Sequence, residues 1–442
     1  SIYNCFSCDN EKTVEKFLQA LLLLICDRTE CNWSASLFSS AVKRSLNALT
    51  PMLQQCESSR THWVLMKVIN TIVVGEPSLL QSLDISVVPR LTSIFLDNPD
   101  PSLLFELTRF FNMMSRNHWI RGTLDNNPQF IQHLVKVIDE VELPSTRELG
   151  LRCLANLCTS DKNKTVASDC AIDVLLRQIT SPDPRVNETA MHCISHILMN
   201  DKGKIAFARD DFVEILCTIF EGKKHPCKLR GLQALQHSTT ANRTEFAERV
   251  AISRLPNSLS SYLQSMNDTM REHGCKAISV LSVSGSCRNA FANNTEIIST
   301  LMQLLSDNPE IAVSACGCIG NIFHDTKLKQ QCMSEQILSA IYSLLSKLDI
   351  PRQQYIVLQT LTIISYQDSY WSEQIYLHKD FALIREIQQT GADKQLRIQT
   401  MQLFSSIFSQ ISYPDDPAAR GYQNVQVVLN YFRPRFSGYV IV

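Results

Sequence analysis

The sequence predicts an all-α fold, a right-handed α-solenoid of about nine to ten stacked helical repeats. A five-residue phrase of small, apolar, small, variable and apolar residues recurs about every 42 residues, as at 153–157, 193–197 and 318–322. Glycine is scarce, at 13 of 442 residues, and hydrophobic residues make up 45%, as expected when each helix buries one face. No sustained alternation of apolar and polar residues precedes the C-terminal tail, so strands are not expected there.

The variable fourth position of the phrase defines the register of the repeats. Its nine copies, 40 to 44 residues apart, are Thr71, Asn112, Asn156, His196, His237, Val280, Asn321, Ile363 and Ser406. The residue two places earlier is apolar in every copy, and the residue one place later is apolar in eight of nine. Positions three apart share one face of a helix, so these two columns predict a buried stripe. The residue three places earlier is Cys or Ala in the middle five copies, which would let neighbouring helices approach closely.

Segments rich in proline, aspartate and asparagine precede the phrase at residues 96–101, 181–184 and 306–309. Asp, Asn and Ser cap helices and Pro opens the first turn, so each segment predicts a break between two helices of a repeat. An additional unit is expected near residues 18–49. We therefore expect one continuous solenoid over residues 1–411 and a separate tail over residues 412–442.

The composition excludes several classes of function. The net charge of −1, from 42 basic and 43 acidic residues, gives no global attraction to nucleic acid. The longest apolar run, residues 17–26, is too short to span a bilayer. Several of the 16 cysteines fall in the small column, so we expect reduced thiols and an intracellular protein, cytoplasmic or nuclear.

Leu-Ala-Asn-Leu at residues 154–157 and Gly-Asn-Ile at 320–322, with the proline break and the period near 42, resemble the third helix of the armadillo repeat. The resemblance covers roughly residues 12–410. It implies three-helix repeats whose third helices line a concave groove, where asparagine at the variable position hydrogen-bonds an extended peptide. The matching positions are Asn112, Asn156 and Asn321. The importin-alpha branch carries tryptophan four residues earlier, and none stands there in this chain, which argues against binding of nuclear-import cargo.

The variable column and the column four residues before it share one helical face, which makes them the candidate site. The predicted partner-binding residues are Asn112, Arg152, Asn156, His192, His196, His237, Lys276 and Asn321. Their amides would satisfy the backbone of a partner, and their cations would favour an acidic or phosphorylated segment. The alternative interpretation is that they are solvated residues of the inner surface.

Metal and catalytic sites have weaker support. His192 and His196, four residues apart, could hold a metal ion, but no third ligand has a fitting spacing in adjacent units, so polar groove residues are the better interpretation. Cys5, Cys8, Cys26 and Cys31 have a loosely zinc-like spacing, although Cys26 ends an apolar run and is expected in the core. No glycine-rich phosphate loop, His-Glu-x-x-His or Gly-x-Ser-x-Gly motif occurs, so we predict no cofactor, no catalytic residue and no enzyme activity.

The tail departs from the helical pattern. Pro414 and Pro417 end the last helix, and residues 425–429 and 436–442 are β-prone. The tail either covers the apolar end of the solenoid or presents Val440, Ile441 and Val442 as a C-terminal ligand for a PDZ partner.

The expected function is that of a non-catalytic scaffold or adaptor that binds an extended or helical partner segment in its groove. Two alternatives within the binding class are a polarity or signalling adaptor that also uses the tail, and an Hsp70-type exchange factor. A different class would be an enzyme regulator, or an enzyme with an unrecognised site.

Overall fold

The regular structure of this chain is helical wherever the computed structural model describes it. The described residues are 58–75, 85–117, 121–125, 127–222, 226–240, 242, 244–390 and 393–411, with isolated positions at 16, 49, 52 and 53. They form 23 α-helices and a 3-10 helix at Ile85–Val87, and no strand lies among them. The prediction of an all-α fold is confirmed.

The chain divides into two compact units, Ser1–Ile197 and Leu198–Val442. The single continuous solenoid over residues 1–411 therefore stays a prediction. The predicted unit near residues 18–49, except Leu49, lies outside the described residues, as do the four zinc-like cysteines and the whole tail. In the described part of the chain, every helix is too short or too polar to cross a membrane.

Unit 1 contains eight described α-helices. They are α1 (Ser59–Gly75), α2 (Val88–Leu96), α3 (Pro101–Arg116), α4 (Pro128–Glu140), α5 (Pro144–Leu157), α6 (Asp161–Cys170), α7 (Ile172–Gln178) and α8 (Pro184–Ile197). The helices α1, α3, α5 and α8 stack on one another in that order and carry the first four copies of the repeated phrase. We call them the third helices of unit 1 because they carry the phrase.

Unit 2 contains fifteen described α-helices. They are α9 (Asp201–Phe207), α10 (Asp210–Glu221), α11 (Lys228–Leu235), α12 (Glu245–Ala251), α13 (Leu255–Leu263), α14 (Asp268–Leu281), α15 (Gly285–Asn293), α16 (Thr295–Leu304), α17 (Pro309–Ile322), α18 (Thr326–Cys332), α19 (Glu335–Leu345), α20 (Pro351–Ser365), α21 (Ser369–Leu377), α22 (Phe381–Thr390) and α23 (Lys394–Phe408). They form five consecutive triplets, and their third helices α11, α14, α17, α20 and α23 stack in order. These triplets are the three-helix repeats that the armadillo resemblance implied.

The predicted breaks begin third helices as expected. Asp100 accepts hydrogen bonds from the backbone N–H groups of Ser102 and Leu103, and Pro101 occupies the first turn of α3. Asn308 accepts from the N–H of Ile311 at the start of α17 in the same way. Side-chain caps and proline therefore fix where these third helices start.

Within each unit, the small column packs between successive third helices. Cys153, Cys193, Ala234, Ala277 and Cys318 are all fully buried. The Cys193 thiol donates to the Leu151 carbonyl at 2.9 Å, and the Cys318 thiol donates to the Cys275 carbonyl at 2.8 Å. These contacts join residues 42 and 43 apart, so they confirm the period and the close approach of the helices. Burial raises the pKa of the Cys193 and Cys318 thiols well above the usual range, which keeps both protonated.

Candidate partner-binding site

A line of basic side chains runs along the third helices of unit 1. Lys67, Arg109 and Arg152 lie 42 and 43 residues apart on α1, α3 and α5, and we call these three residues the basic ladder. The side chains of Arg109 and Arg152 are 31% and 47% exposed. The Lys67 ammonium lies 4.9 Å from the centre of the Trp63 ring, a cation–π contact that orients it along the surface of α1. His192, 40 residues after Arg152, continues the line on α8.

The structure shifts the predicted surface column by one residue in α3. Asn112 is only 4% exposed and Thr108 is fully buried, whereas Arg109 and Met113 reach the surface. The cause is the ring of Phe111, which packs edge-on against Phe95 and Phe130 at centroid distances of 5.3 and 4.8 Å. Anchoring this ring turns Asn112 inward and leaves it little surface to offer a partner.

The surface column of unit 1 therefore runs Thr71, Met113, Asn156 and His196, in steps of 42, 43 and 40 residues. Asn156 is half-buried, and its side-chain amide donates to the Ser115 hydroxyl of α3 at 3.0 Å. Asn156 thus links two third helices while part of its amide stays at the surface.

Two acidic residues of this surface, Glu106 and Glu148, lie beneath its cations. The Glu106 carboxylate is buried, accepts from the Asn70 amide at 2.7 Å and lies 3.8 Å from Arg109. The Glu148 carboxylate, 12% exposed, pairs with Arg152 at 2.6 Å and with Arg185 at 3.8 Å. The side chains of Arg109 and Arg152, which pair with these carboxylates, stay partly exposed.

The third helices of unit 1 together carry a net positive charge, although the whole chain carries a net charge of −1. Helices α1, α3, α5 and α8 carry seven basic and three acidic residues. The basic residues are Arg60, Lys67, Arg109, Arg116, Arg147, Arg152 and Arg185, and the acidic ones are Glu106, Glu148 and Glu188. Two of the three acids are buried and pair with Arg109 and Arg152, so these helices keep a net positive charge that is partly neutralised at those two arginines.

His192 and His196 lie side by side on α8. Their Nε2 atoms are 3.0 Å apart, and their rings are perpendicular, at 88°, with centroids 4.6 Å apart. Both side chains are half-buried. At this distance one ring donates its Nε2–H to the Nε2 lone pair of the other.

The third helices α14, α17 and α20 of unit 2 line a separate open cavity of about 240 Å³. It is lined by Glu272, Lys276, Ser279, Glu310, Val313, Ser314, Gly317, Arg352, Gln353 and Ile356. The predicted residue Lys276 lines this cavity and pairs with Glu272 at 2.6 Å. Asn321 is 2% exposed, because its amide donates to the carbonyl and the hydroxyl of Ser279 at 3.0 and 2.9 Å. Asn321 does not line the cavity itself but bonds Ser279, which does.

His237, the remaining predicted residue of unit 2, is half-buried in the turn after α11. Beside it, the amide groups of Gln236 and Gln233 lie 2.6 and 3.4 Å from the two ring nitrogens of His273 on α14. Burial lowers the pKa of His273, with Lys276 and Arg230 acting in the same direction and Glu272 opposing them. The ring is therefore neutral near pH 7.

Sequence reasoning missed four surface residues, two in each unit. The sequence did not identify Arg109 and Met113, because the surface column of α3 is shifted by one residue from the repeated phrase. Glu310 and Arg352 line the cavity from the first turns of α17 and α20, exactly one period of 42 residues apart. That spacing is the signal that could have found the second pair.

Within the described residues, no group of three or more His, Cys, Asp or Glu side chains is placed to hold a metal ion. The predicted site residues instead fall into two sets. Asn112, Arg152, Asn156, His192 and His196 belong to unit 1, and His237, Lys276 and Asn321 belong to unit 2.

No family model matches the sequence, and no curated protein matches it. An engineered protein of known structure is 16% identical over 92% of this chain and 98% of its own, with a TM-score of 0.75. A second engineered protein is 16% identical, with a TM-score of 0.45 over 63% of this chain and 97% of its own. A designed armadillo repeat protein in complex with the peptide (KR)4 is 14% identical, with a TM-score of 0.48 over 53% of this chain and 98% of its own. The first likeness shows the fold alone. It shows that an engineered protein shares this arrangement of helices.

Proposed function

We propose that this chain is a non-catalytic protein-binding scaffold, and that the basic ladder of unit 1 binds an acidic segment of a partner protein. One observation carries the proposal: three cations lie at the same place on three successive third helices, while two neighbouring acids are buried beneath them. Cations held in a row by a rigid scaffold complement carboxylates or phosphates along an extended chain.

The surrounding surface suits such a segment. Trp63, Met113 and the half-buried Asn156 flank the ladder. An aromatic ring and a flexible thioether can cover the apolar parts of a bound peptide, and an asparagine amide can bond its backbone.

The test is the binding of a fluorescent peptide of eight glutamates, measured by anisotropy on the full chain. This probe offers a carboxylate at every spacing, so the result does not depend on the register of the partner. The decisive variant replaces Lys67, Arg109 and Arg152 by Gln. An exposed ion pair contributes about 0.2–1 kcal/mol, so the triple variant should bind about 3- to 150-fold more weakly.

A matched control replaces Lys136, Lys162 and Arg177, which are exposed cations of α4, α6 and α7, by Gln. It makes the same change in net charge away from the ladder. We expect the control to bind nearly as the parent does, and a peptide of eight lysines not to bind either form. Equal weakening by both triple variants would show attraction to net charge only, and would refute the ladder as a site.

A further inference from the structure

We infer that His192 and His196 form a chelating site for a late first-row divalent metal ion such as Ni²⁺ or Cu²⁺. The two residues are one turn apart on α8, and their Nε2 atoms already converge to 3.0 Å. Imidazole nitrogen is a preferred donor for these ions, and a helix holds the two rings without any change of backbone.

The separation of the nitrogens selects a coordination geometry. With metal–nitrogen bonds of about 2.05 Å, two donors 3.0 Å apart subtend roughly 94° at the ion. This angle is that of neighbouring positions in a square-planar or octahedral complex. A tetrahedral ion would need the nitrogens about 3.3 Å apart, so the ion-free spacing is nearer to that of a square-planar or octahedral complex; within the first-row divalent series, nitrogen sites also bind Cu²⁺ most tightly.

Binding replaces the hydrogen bond between the rings by two metal–nitrogen bonds. In the neutral pair one ring carries its proton on Nε2 and the other presents an Nε2 lone pair. When the ion binds, the donor ring moves its proton to Nδ1, so both Nε2 lone pairs point at the metal. No net proton is released from the neutral pair, and no oxidant or reductant is required.

Two protein donors leave the remaining coordination positions to water. The described residues offer no third ligand at this place, which distinguishes the site from a closed structural zinc centre. The ion should therefore bind reversibly to the folded chain, and the fold should not depend on the ion. The inference does not depend on the proposed binding of acidic segments, because the basic ladder and the histidine pair are different side chains.

The experiment is calorimetric titration of the full chain with NiCl₂ and with CuCl₂, compared across single variants. His192→Asn and His196→Asn should each weaken the same binding event by at least about tenfold, because either change reduces a chelate to one donor. His273→Asn, a half-buried histidine of α14 outside the pair, is the matched control and should bind as the parent does. Electron paramagnetic resonance of the Cu²⁺ complex should show two imidazole nitrogens in the parent.

Thermal melting of each variant verifies that the fold is kept. The inference is overturned if either variant of the pair binds the ions like the parent. It is also overturned if His273→Asn weakens binding as much as they do.

Discussion

Replacing Lys329 by methionine should destabilise unit 2 strongly, although the residue takes no part in the proposed site. The Lys329 side chain on α18 is 2% exposed. Its ammonium donates to the carbonyls of Ile364 and Tyr366 at 2.9 and 3.1 Å, at the C-terminal end of α20. It also lies 3.3 Å from a carboxylate oxygen of Asp368. This one cation therefore closes the end of a third helix and neutralises the acid that follows it.

The magnitude follows from what the substitution leaves behind. Methionine fills the volume of the lysine stem but offers no donor. Breaking a buried ion pair by removing one partner costs about 3–5 kcal/mol. Asp368 remains 12% exposed and keeps a hydrogen bond from the N–H of Trp371, which reduces its share of the loss. We therefore expect a loss of about 3 kcal/mol in the free energy of unfolding.

The assay is urea denaturation followed by circular dichroism, with hydrogen exchange to locate the loss in α18, α20 and α21. Lys327→Met is the matched control, since Lys327 is exposed on the same helix, and it should change stability by less than about 0.5 kcal/mol. Adding Asp368→Asn should cost less in the Lys329→Met background than in the parent, because the two groups interact. A loss below about 1 kcal/mol for Lys329→Met would refute the role assigned to this cation.

Two further predictions concern the cysteine core. Cys193→Leu should lower the free energy of unfolding by about 1–3 kcal/mol, because leucine overpacks the small column and removes the hydrogen bond to Leu151. Cys193→Ala should lower it less. Equal stability of Cys193→Leu and the parent in denaturant melts would contradict the predicted packing. Burial raises the pKa of Cys153, Cys287 and Cys316 from 9.0 to about 12, so their contribution to stability is complete below pH 9 and is lost as the pH rises toward 12. Each thiol should remove about 1.4 kcal/mol per pH unit in that window, and melting temperatures that stay level between pH 8 and 10 would rule this out.

The repeat was predictable from the sequence because burial imposes it directly. Each third helix must place apolar and small residues against the helix before it and the helix after it, so the same columns return at every step. Eight of the nine predicted copies of the variable position fall inside a third helix, and His237 lies in the turn directly after α11. The short first helices were not predicted one by one, since seven to nine residues carry too few turns for a clear period.

The roles of the asparagines were less predictable, because they depend on a side chain one repeat earlier. Asn321 meets the hydroxyl of Ser279, and Asn156 meets that of Ser115, at separations of 42 and 41 residues. A hydroxyl at that place gives the amide a partner inside the protein. The resemblance to a peptide-binding family describes only the asparagine and not the serine beneath it. A serine about one period before the asparagine therefore indicates a link between helices.

The register of α3 shows why a single apolar column cannot fix a helix rotation. Phe110 and Phe111 are both apolar and both fully buried, so either one satisfies the repeated pattern. Contacts of Phe111 with the rings of α2 and α4 decide between them, and those residues lie outside the phrase. Because α3 is rotated by one residue, Arg109 takes the surface position that the phrase predicts for Thr108. This rotation adds a cation to the ladder. The fold thus depends on the columns that all repeats share, whereas the binding surface depends on aromatic contacts that belong to one repeat.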